Sequence, residues 1–249
     1  MDCLRIKGRI LASIIALSAF SLTTKSVVAS PCDGEPDDVV ATLWAGNGGG
    51  SGQFDVLRGF GTCTDDVWRW VSDGPITIMD DAGNIVGQYQ SSSITLVADP
   101  IVSVVYGVQA GAVDTSFSIF STLTFPTMTN PLGIASASNT LTDTNGNGGT
   151  LTGGFGGGTK SFRASYNFGT TFVTSEENLS VGAFGSTTST EADFSGIITG
   201  SVSEARAHFS FVLSRLDISG GTGVFNVVPE PGTLALLSLG GLSLLRRRR

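Results

Sequence analysis

Apolar and polar residues alternate with a period of two along much of the chain, which is the pattern of strands with one buried face. The clearest examples lie in 115–125, 160–168 and 205–213, where apolar residues recur at nearly every second position. Alanine, arginine and leucine within 204–216 would also permit a helix, but the alternation and the phenylalanine content favour a strand. These segments therefore predict a β-rich fold.

A hairpin is predicted between two further apolar runs. Residues 75–79 and 84–90 flank Asp80-Asp81-Ala82-Gly83, a turn sequence that contains glycine. Other short strand candidates follow one another, separated by turn residues at a spacing of roughly 8–15 residues. We therefore expect an all-β domain over residues 30–227, built as an antiparallel β-sandwich or jelly roll.

The alternation is lost between residues 136 and 159. This segment consists mostly of Gly, Asn, Thr and Ser, with few apolar residues. A segment that buries little apolar surface does not offset the entropy of ordering it. The composition predicts a long surface loop over 136–159, with one weak hairpin or a boundary between two domains as alternatives.

Residues 1–29 have the order of a secretory signal peptide. A basic stretch opens them, an apolar run from Ile10 to Leu22 follows, and Val27-Val28-Ala29 precedes Ser30. The run is shorter than the roughly 20 residues that span a bilayer. The sequence predicts cleavage by signal peptidase between Ala29 and Ser30, with an uncleaved amphipathic anchor as the alternative.

The other end combines three features. Pro229, Glu230 and Pro231 form a stiff, extended segment, because each proline restricts its own backbone and that of the preceding residue. An apolar run from Leu234 to Leu245 follows, which reaches about 18 Å as a helix. The chain then closes with four basic residues that should stay cytoplasmic: Arg246, Arg247, Arg248 and Arg249.

A Pro-Glu-Pro triplet, a short apolar helix and terminal arginines in this order resemble the PEP-CTERM sorting signal of Gram-negative bacteria. The resemblance covers residues 228–249. It implies transient insertion in the inner membrane, processing by an exosortase (a membrane transpeptidase-like enzyme), and transfer to the cell surface or extracellular matrix. It also implies an association with exopolysaccharide and biofilm, but nothing about the fold or activity of residues 30–227.

The net charge of −7 changes once the two ends are set apart. Residues 30–228 contain six basic and 19 acidic side chains, a net charge of −13. Such an acidic domain is unsuited to binding nucleic acid, so none is expected as a partner.

The cysteines predict one disulfide. Cys3 lies in the signal peptide, which leaves Cys32 and Cys63 as an even pair in an oxidising compartment. A reactive cysteine is the alternative, but it would need a nearby base, and the single histidine, His208, is distant in sequence. We expect His208 to face solvent, opposite the phenylalanine face of its strand.

One weak metal candidate stands out. Asp143, Asn145 and Asn147 alternate as oxygen donors before Gly148, like the first half of a calcium loop. The twelfth position is Gly154 rather than the bidentate glutamate, so an EF-hand is excluded. A polar turn is the favoured interpretation, a calcium site completed from elsewhere is the alternative, and no other cofactor is expected.

Trp68 and Trp70 share one face of a predicted strand. Both are expected in the core, as is Trp44. Stacking of the two flat rings on sugars is the alternative. Adjacent acidic residues could supply the carboxylate pair of a glycosidase, but solvated turns are their default interpretation.

The leading hypothesis is a non-enzymatic, exported surface or extracellular-matrix protein sorted by an exosortase. The first alternative is a carbohydrate-binding module that uses exposed tryptophans. The less favoured alternative is a glycan-acting enzyme with paired carboxylates.

Overall fold

A computed structural model describes residues 30–229 of the chain. The predicted signal peptide, the residues from Glu230 onward and the predicted sorting helix lie outside the described residues. Strands dominate this described part of the chain, which also has one 3-10 turn at Arg58–Phe60. The strands are β1 Val39–Asn47, β2 Gly50–Leu57, β3 Thr62–Thr64, β4 Val67–Val71, β5 Ile76–Met79, β6 Ile85–Val97, β7 Ile101–Ala110, β8 Thr115–Thr129, β9 Leu132–Thr142, β10 Gly149–Gly153, β11 Lys160–Tyr166, β12 Thr170–Glu177, β13 Leu179–Val181, β14 Ser186–Thr190, β15 Phe194–Ile197, β16 Ser201–Leu213 and β17 Ile218–Val228.

The strands form two antiparallel sheets that make a sandwich-like arrangement. The first sheet has the order β12-β11-β16-β8-β1-β2, with β10 beside the end of β16 and β13 beside β10. The second has the order β14-β9-β17-β7-β6-β4-β3, with β15 beside β9 and β5 beside β6. The predicted all-β antiparallel sandwich is confirmed, and most of the segment 204–216 that could have been helical belongs to β16.

The core lies between the inner faces of the two sheets. Phe209 of the first sheet packs against Phe162 on one side and against Tyr106 of the second sheet, each at a ring-centroid distance of 4.9 Å. Gly223 of β17 lies directly opposite, because a Cβ at this position would come within 2.4 Å of the Phe162 ring. Glycine at this point of β17 thus makes room for the aromatic layer that joins the sheets.

The prediction of a long loop over 136–159 is wrong. Most of β9 and all of β10 lie in this segment. Strand β9 pairs with β17 along its whole length, and Ala137 and Leu141 are buried on its inner face. This segment is ordered by backbone pairing on both sides and by small residues that fit between close-packed strands. Neither contribution needs many large apolar side chains.

The predicted disulfide is confirmed. Cys32 and Cys63 are bridged, with their Cα atoms 5.8 Å apart. The bridge fastens the segment before β1 to β3 at the edge of the second sheet. Among residues 30–229, no helix is long and apolar enough to cross a membrane.

Candidate functional site

The two ends of the described chain lie close together. Ser30 lines a cleft with Leu96 and Thr124, and Pro229 lines a neighbouring cleft with the next residue of each of those strands, Val97 and Phe125. The sandwich therefore begins and ends at the same place, which is where the predicted signal-peptide junction and the Pro-Glu-Pro segment join it.

The chain leaves the domain without a linker. Val227 is fully buried in β17, its N–H donates to the carbonyl of Pro100 at 2.9 Å, and Val228 still pairs with Leu132 of β9. The next residue, Pro229, is exposed. The first residue of the predicted sorting triplet is thus held at a fixed point on the surface by a strand in the interior of the sheet.

The outer face of the first sheet carries a cluster of aromatic and basic side chains. Every second residue of β8 and β16 is buried in the space between the two sheets. The intervening residues of these strands therefore point outward. All members of the cluster are partly exposed. We call this cluster the arginine–aromatic platform, and its members are Trp44, Phe120, Phe155, Arg163, Arg206 and His208.

Trp44 is on this face, so its predicted place in the core is wrong. It pairs across the strands with Ser118 of β8 and Gln53 of β2. Its ring lies over Gly46, where a Cβ would approach the indole to 2.4 Å. The indole therefore packs flat along its own strand because a glycine two residues away leaves the space for it.

Each arginine of the platform lies over an aromatic ring. The Arg163 guanidinium is 4.4 Å from the centre of the Phe155 ring, and that of Arg206 is 5.0 Å from the centre of the Phe120 ring. Arg206 also donates from Nε to the hydroxyl of Thr122 at 2.9 Å. Cation–π contacts and this hydrogen bond fix the direction of both side chains.

His208 lies in the middle of the platform, on the face opposite the phenylalanines as predicted, but its neighbours leave it only partly exposed. Its ring makes edge contacts with Phe120 and Phe155 at 5.3 and 4.9 Å. Burial, together with the charges of Arg163 and Arg206, lowers the pKa of His208 from 6.5 to about 3. The imidazole is therefore neutral near neutral pH.

The neighbours of the neutral ring decide which nitrogen carries the proton. Arg163 can only donate, and its Nη2 is 3.4 Å from Nδ1 of His208, so Nδ1 accepts. The proton is then on Nε2, which donates to the hydroxyl of Ser118 at 2.9 Å. The histidine thus links the arginine to β8 through hydrogen bonds.

The low pKa of His208 predicts a pH-dependent stability. As the pH falls below 6.5, the unfolded chain binds a proton at this residue, whereas the folded chain does so only near pH 3. The free energy of unfolding is therefore highest above pH 6.5 and decreases as the pH falls below that value. Between pH 6.5 and 5 we expect a loss of about 1–2 kcal/mol that His208→Gln removes, measured by urea unfolding. An imidazole that titrates near 6.5 in NMR spectra of the folded protein would contradict this.

Trp68 and Trp70 share a face, as predicted, but that face is internal. They are only 2% and 6% exposed. The indole N–H of Trp68 donates to the carbonyl of Arg58 at 2.9 Å, and the ring packs on Gly61. The favoured interpretation, that both tryptophans belong to the core, is thus confirmed, and the alternative of a glycan contact is wrong because β4 turns them toward the core.

Trp70 nevertheless forms part of the wall of a cleft of about 600 Å³. Phe54 stacks on Trp70 with ring centroids 6.4 Å apart, and Phe60 stacks on Phe54 at 6.2 Å. Of these three aromatic residues, Phe60 is the exposed one. The aromatic surface of this cleft is therefore formed by Phe60 and Phe54, since Trp70 is almost fully buried.

The candidate calcium ligands form a hydrogen-bonded turn. The Asp143 carboxylate accepts four backbone N–H groups at 2.6 to 3.2 Å, from Asn145, Gly146, Gly148 and Phe184. Asn145 in turn accepts the N–H of Asn147 at 3.0 Å. These oxygens face N–H donors, and within residues 30–229 no three His, Cys, Asp or Glu side chains form a metal-binding group. The turn gives no support to a calcium site.

Asp143 has an acidic neighbour that the sequence did not reveal. Although burial raises the pKa of Asp143, the backbone N–H groups together outweigh it and lower this pKa. Burial and the neighbouring Asp143 carboxyl raise the pKa of Asp217, which also accepts a hydrogen bond from Ser214. Both side chains are buried, and their donors come from separate segments, since Phe184 donates to Asp143 and Thr144 donates to Asp217.

The adjacent acidic residues considered for catalysis form four pairs on four different segments of the chain. Three of the four pairs lie on turns or bends with exposed or half-exposed side chains: Asp37-Asp38, Asp65-Asp66 and Asp80-Asp81. In the fourth pair Glu176 is buried and Glu177 is exposed. Burial raises the pKa of Glu176, whose carboxylate accepts the N–H of Glu191 at 2.9 Å.

Comparison with known families identifies the C-terminal segment. Residues 227–249 match the PEP-CTERM protein-sorting motif. The resemblance noted in the sequence is thus confirmed, and the match begins on the last two residues of β17. It implies export, an exosortase as the processing partner, and membrane-associated sorting toward the cell surface.

Comparisons of the whole chain are less informative. No curated protein matches it. Among solved structures it is weakly similar to the structure of infectious bursal disease virus Gx strain, with a TM-score of 0.26 and 9% identity over 77% of this chain and 56% of that chain. For the Gt strain the TM-score is 0.20, with 11% identity over 79% of this chain and 68% of that chain. The chain spans little more than half of the first of these, and similarity at this level gives no guide to function.

Proposed function

We propose that the protein is an exported, non-enzymatic surface or extracellular-matrix protein that retains exopolysaccharide in a biofilm. Signal peptidase would cleave after Ala29, and the apolar helix would hold the chain in the inner membrane until an exosortase acts near Pro229. The observation that carries the proposal is the sorting motif at residues 227–249, which begins as the last strand ends.

The place of the junction supports processing of a folded domain. Pro229 is exposed while Val227 is fully buried, so the stiff triplet starts on the surface and needs no unfolding to be reached. Ser30 lies beside the same end of the sandwich. A domain held in this way would project its two sheets away from the membrane during sorting.

The arginine–aromatic platform supports the retention of a polysaccharide. Aromatic rings offer apolar surface to the C–H faces of sugars, while hydroxyl and guanidinium groups beside them can hydrogen-bond to sugar oxygens. A partly exposed sheet face such as this one suits an extended chain. Three of the four adjacent acidic pairs lie on exposed or half-exposed turns and bends, which suits solvated turns better than the two facing carboxyl groups of a glycosidase.

Replacing Pro229, Glu230 and Pro231 together with alanine tests the sorting step. We expect the protein to stay in the membrane fraction with its C-terminal segment attached, because the extended recognition segment would be lost. Mass spectrometry of the protein from its host and from a strain without the exosortase measures this directly. The intact sequence in the same strains is the control, and an unchanged C-terminus and location would refute the proposal.

A further inference from the structure

The platform contains two positive charges without a carboxylate partner. Within residues 30–229 the ion pairs involve Arg58 and Lys160, and neither Arg163 nor Arg206 takes part in one. Glu204, two residues from Arg206 on β16, accepts the backbone N–H of Phe168 instead. The domain has 19 acidic and only six basic side chains, so carboxylates are abundant. Two neighbouring arginines that pair with none of them are therefore unexpected.

The two arginines are close enough to oppose one another. Arg163 of β11 pairs with His208 of β16. Arg206 lies two residues before His208 on β16, so the two arginines are diagonal neighbours on one face. Burial and the charge of Arg206 lower the pKa of Arg163. Two like charges in such a position cost free energy, which an anion bound between them would offset.

Unused donors converge on the same place. Nε of Arg163 is buried and has no hydrogen-bond partner in the described part of the chain. Ser165 pairs with Arg206 on the same face, is fully buried, and its hydroxyl also lacks a partner. Arg206 uses one N–H on Thr122. The Arg163 Nε and the Ser165 hydroxyl are covered by the surrounding side chains, so they leave unsatisfied hydrogen-bonding capacity beneath the surface of the platform.

We propose that Arg163 and Arg206 bind the carboxylate groups of an acidic, uronate-containing polysaccharide. This inference rests on the proposed function and specifies its ligand. Guanidinium groups hold carboxylates through paired hydrogen bonds, and the rings of Phe155 and Phe120 stack on Arg163 and Arg206 and restrict their directions. The neutral His208 adds no further charge to the pair.

The acidic side chains of the rest of the domain should restrict binding of an acidic polymer to the platform. Screening confines charge interactions between exposed groups to about 10 Å at ordinary ionic strength. Glu204 lies two residues from Arg206 on β16, but it is buried and accepts the N–H of Phe168. Elsewhere an excess of carboxylates would repel the same polymer. The polymer would therefore be held at the platform and not adsorbed over the whole surface.

Calorimetric titration of the exported protein tests the inference, with polygalacturonate as the acidic probe and dextran as the neutral one. We expect Arg163→Gln and Arg206→Gln each to weaken polygalacturonate binding about tenfold. Arg69→Gln is the matched control, because Arg69 is exposed on β4 of the other sheet and should leave the affinity unchanged. Arg163→Lys should also lose affinity, since lysine keeps the charge but not the paired donors.

The alternative outcomes are distinct. Binding of dextran and polygalacturonate with equal affinity, unaffected by the arginine variants, would overturn the inference and leave the proposed function standing. Binding of neither polymer would contradict the retention of polysaccharide itself. Equal affinity for dextran sulfate or single-stranded DNA, retained in Arg163→Lys, would show a general anion site and overturn recognition of carboxylates. Where Gln variants unfold, the Lys variant and the polymer comparison on the unaltered protein decide the matter.

Discussion

Phe209→Ala is expected to lower the free energy of unfolding by about 3–5 kcal/mol, the range found for removing a buried aromatic ring. Phe209 is fully buried and contacts Phe162 within its own sheet and Tyr106 of the other. Its loss would leave a cavity where the two sheets meet, next to Gly223, which has no side chain to fill it. Urea unfolding followed by tryptophan fluorescence measures the change.

Val212→Ala is the matched control on the same strand. Val212 points to the outer face of β16 and is 40% exposed, so its truncation should change the free energy by about 0.5 kcal/mol or less. If both variants lost similar stability, the assignment of inner and outer faces along β16 would be incorrect. The arginine–aromatic platform would then also be misplaced, because it depends on the same alternation.

Replacing Cys32 and Cys63 together with serine should lower the free energy of unfolding by about 3–4 kcal/mol. The two cysteines are 31 residues apart in sequence, and their bridge restricts the unfolded chain over that loop. The bridge also fastens the segment that contains Ser30, so we expect faster proteolysis there. Urea unfolding and limited proteolysis measure the two effects.

Reduction of the unaltered protein serves as the control for the disulfide. Dithiothreitol should destabilise it by a similar amount and should have no effect on the double serine variant. A double variant as stable as the unaltered protein would show that the native loop is already restricted without the bridge. A variant that loses stability but remains sensitive to dithiothreitol would place the redox effect elsewhere.

The alternation of residues decided much of the fold in advance. Because side chains of a strand point to opposite faces, the run from Ala205 to Leu213 already grouped Phe209 with Phe211, and the structure buries that group. The sorting motif was also readable, since it depends on a local order of prolines, apolar residues and arginines. The disulfide followed from counting cysteines in an exported chain.

The segment 136–159 shows where local composition fails. Its small and polar residues bury little surface of their own, which suggested a loop. In the structure β9 lies between β17 and the edge strands β14 and β15, and these strands satisfy its backbone groups. The pairing of β9 with β17 joins residues up to 96 positions apart, as for Leu132 and Val228. A local sequence pattern cannot predict such long-range pairing.

Period-two alternation groups residues on a common face of a strand, whereas the packing of the two sheets settles which of the two faces is buried. Trp68 and Trp70 were correctly placed together, yet they are buried, whereas Trp44 reaches the outer face. Arg163 and Arg206 are neighbours only because β11 and β16 pair in one register. A period of two fixes relative orientation along one strand, but burial and binding sites arise from the packing of sheets and the pairing of distant strands.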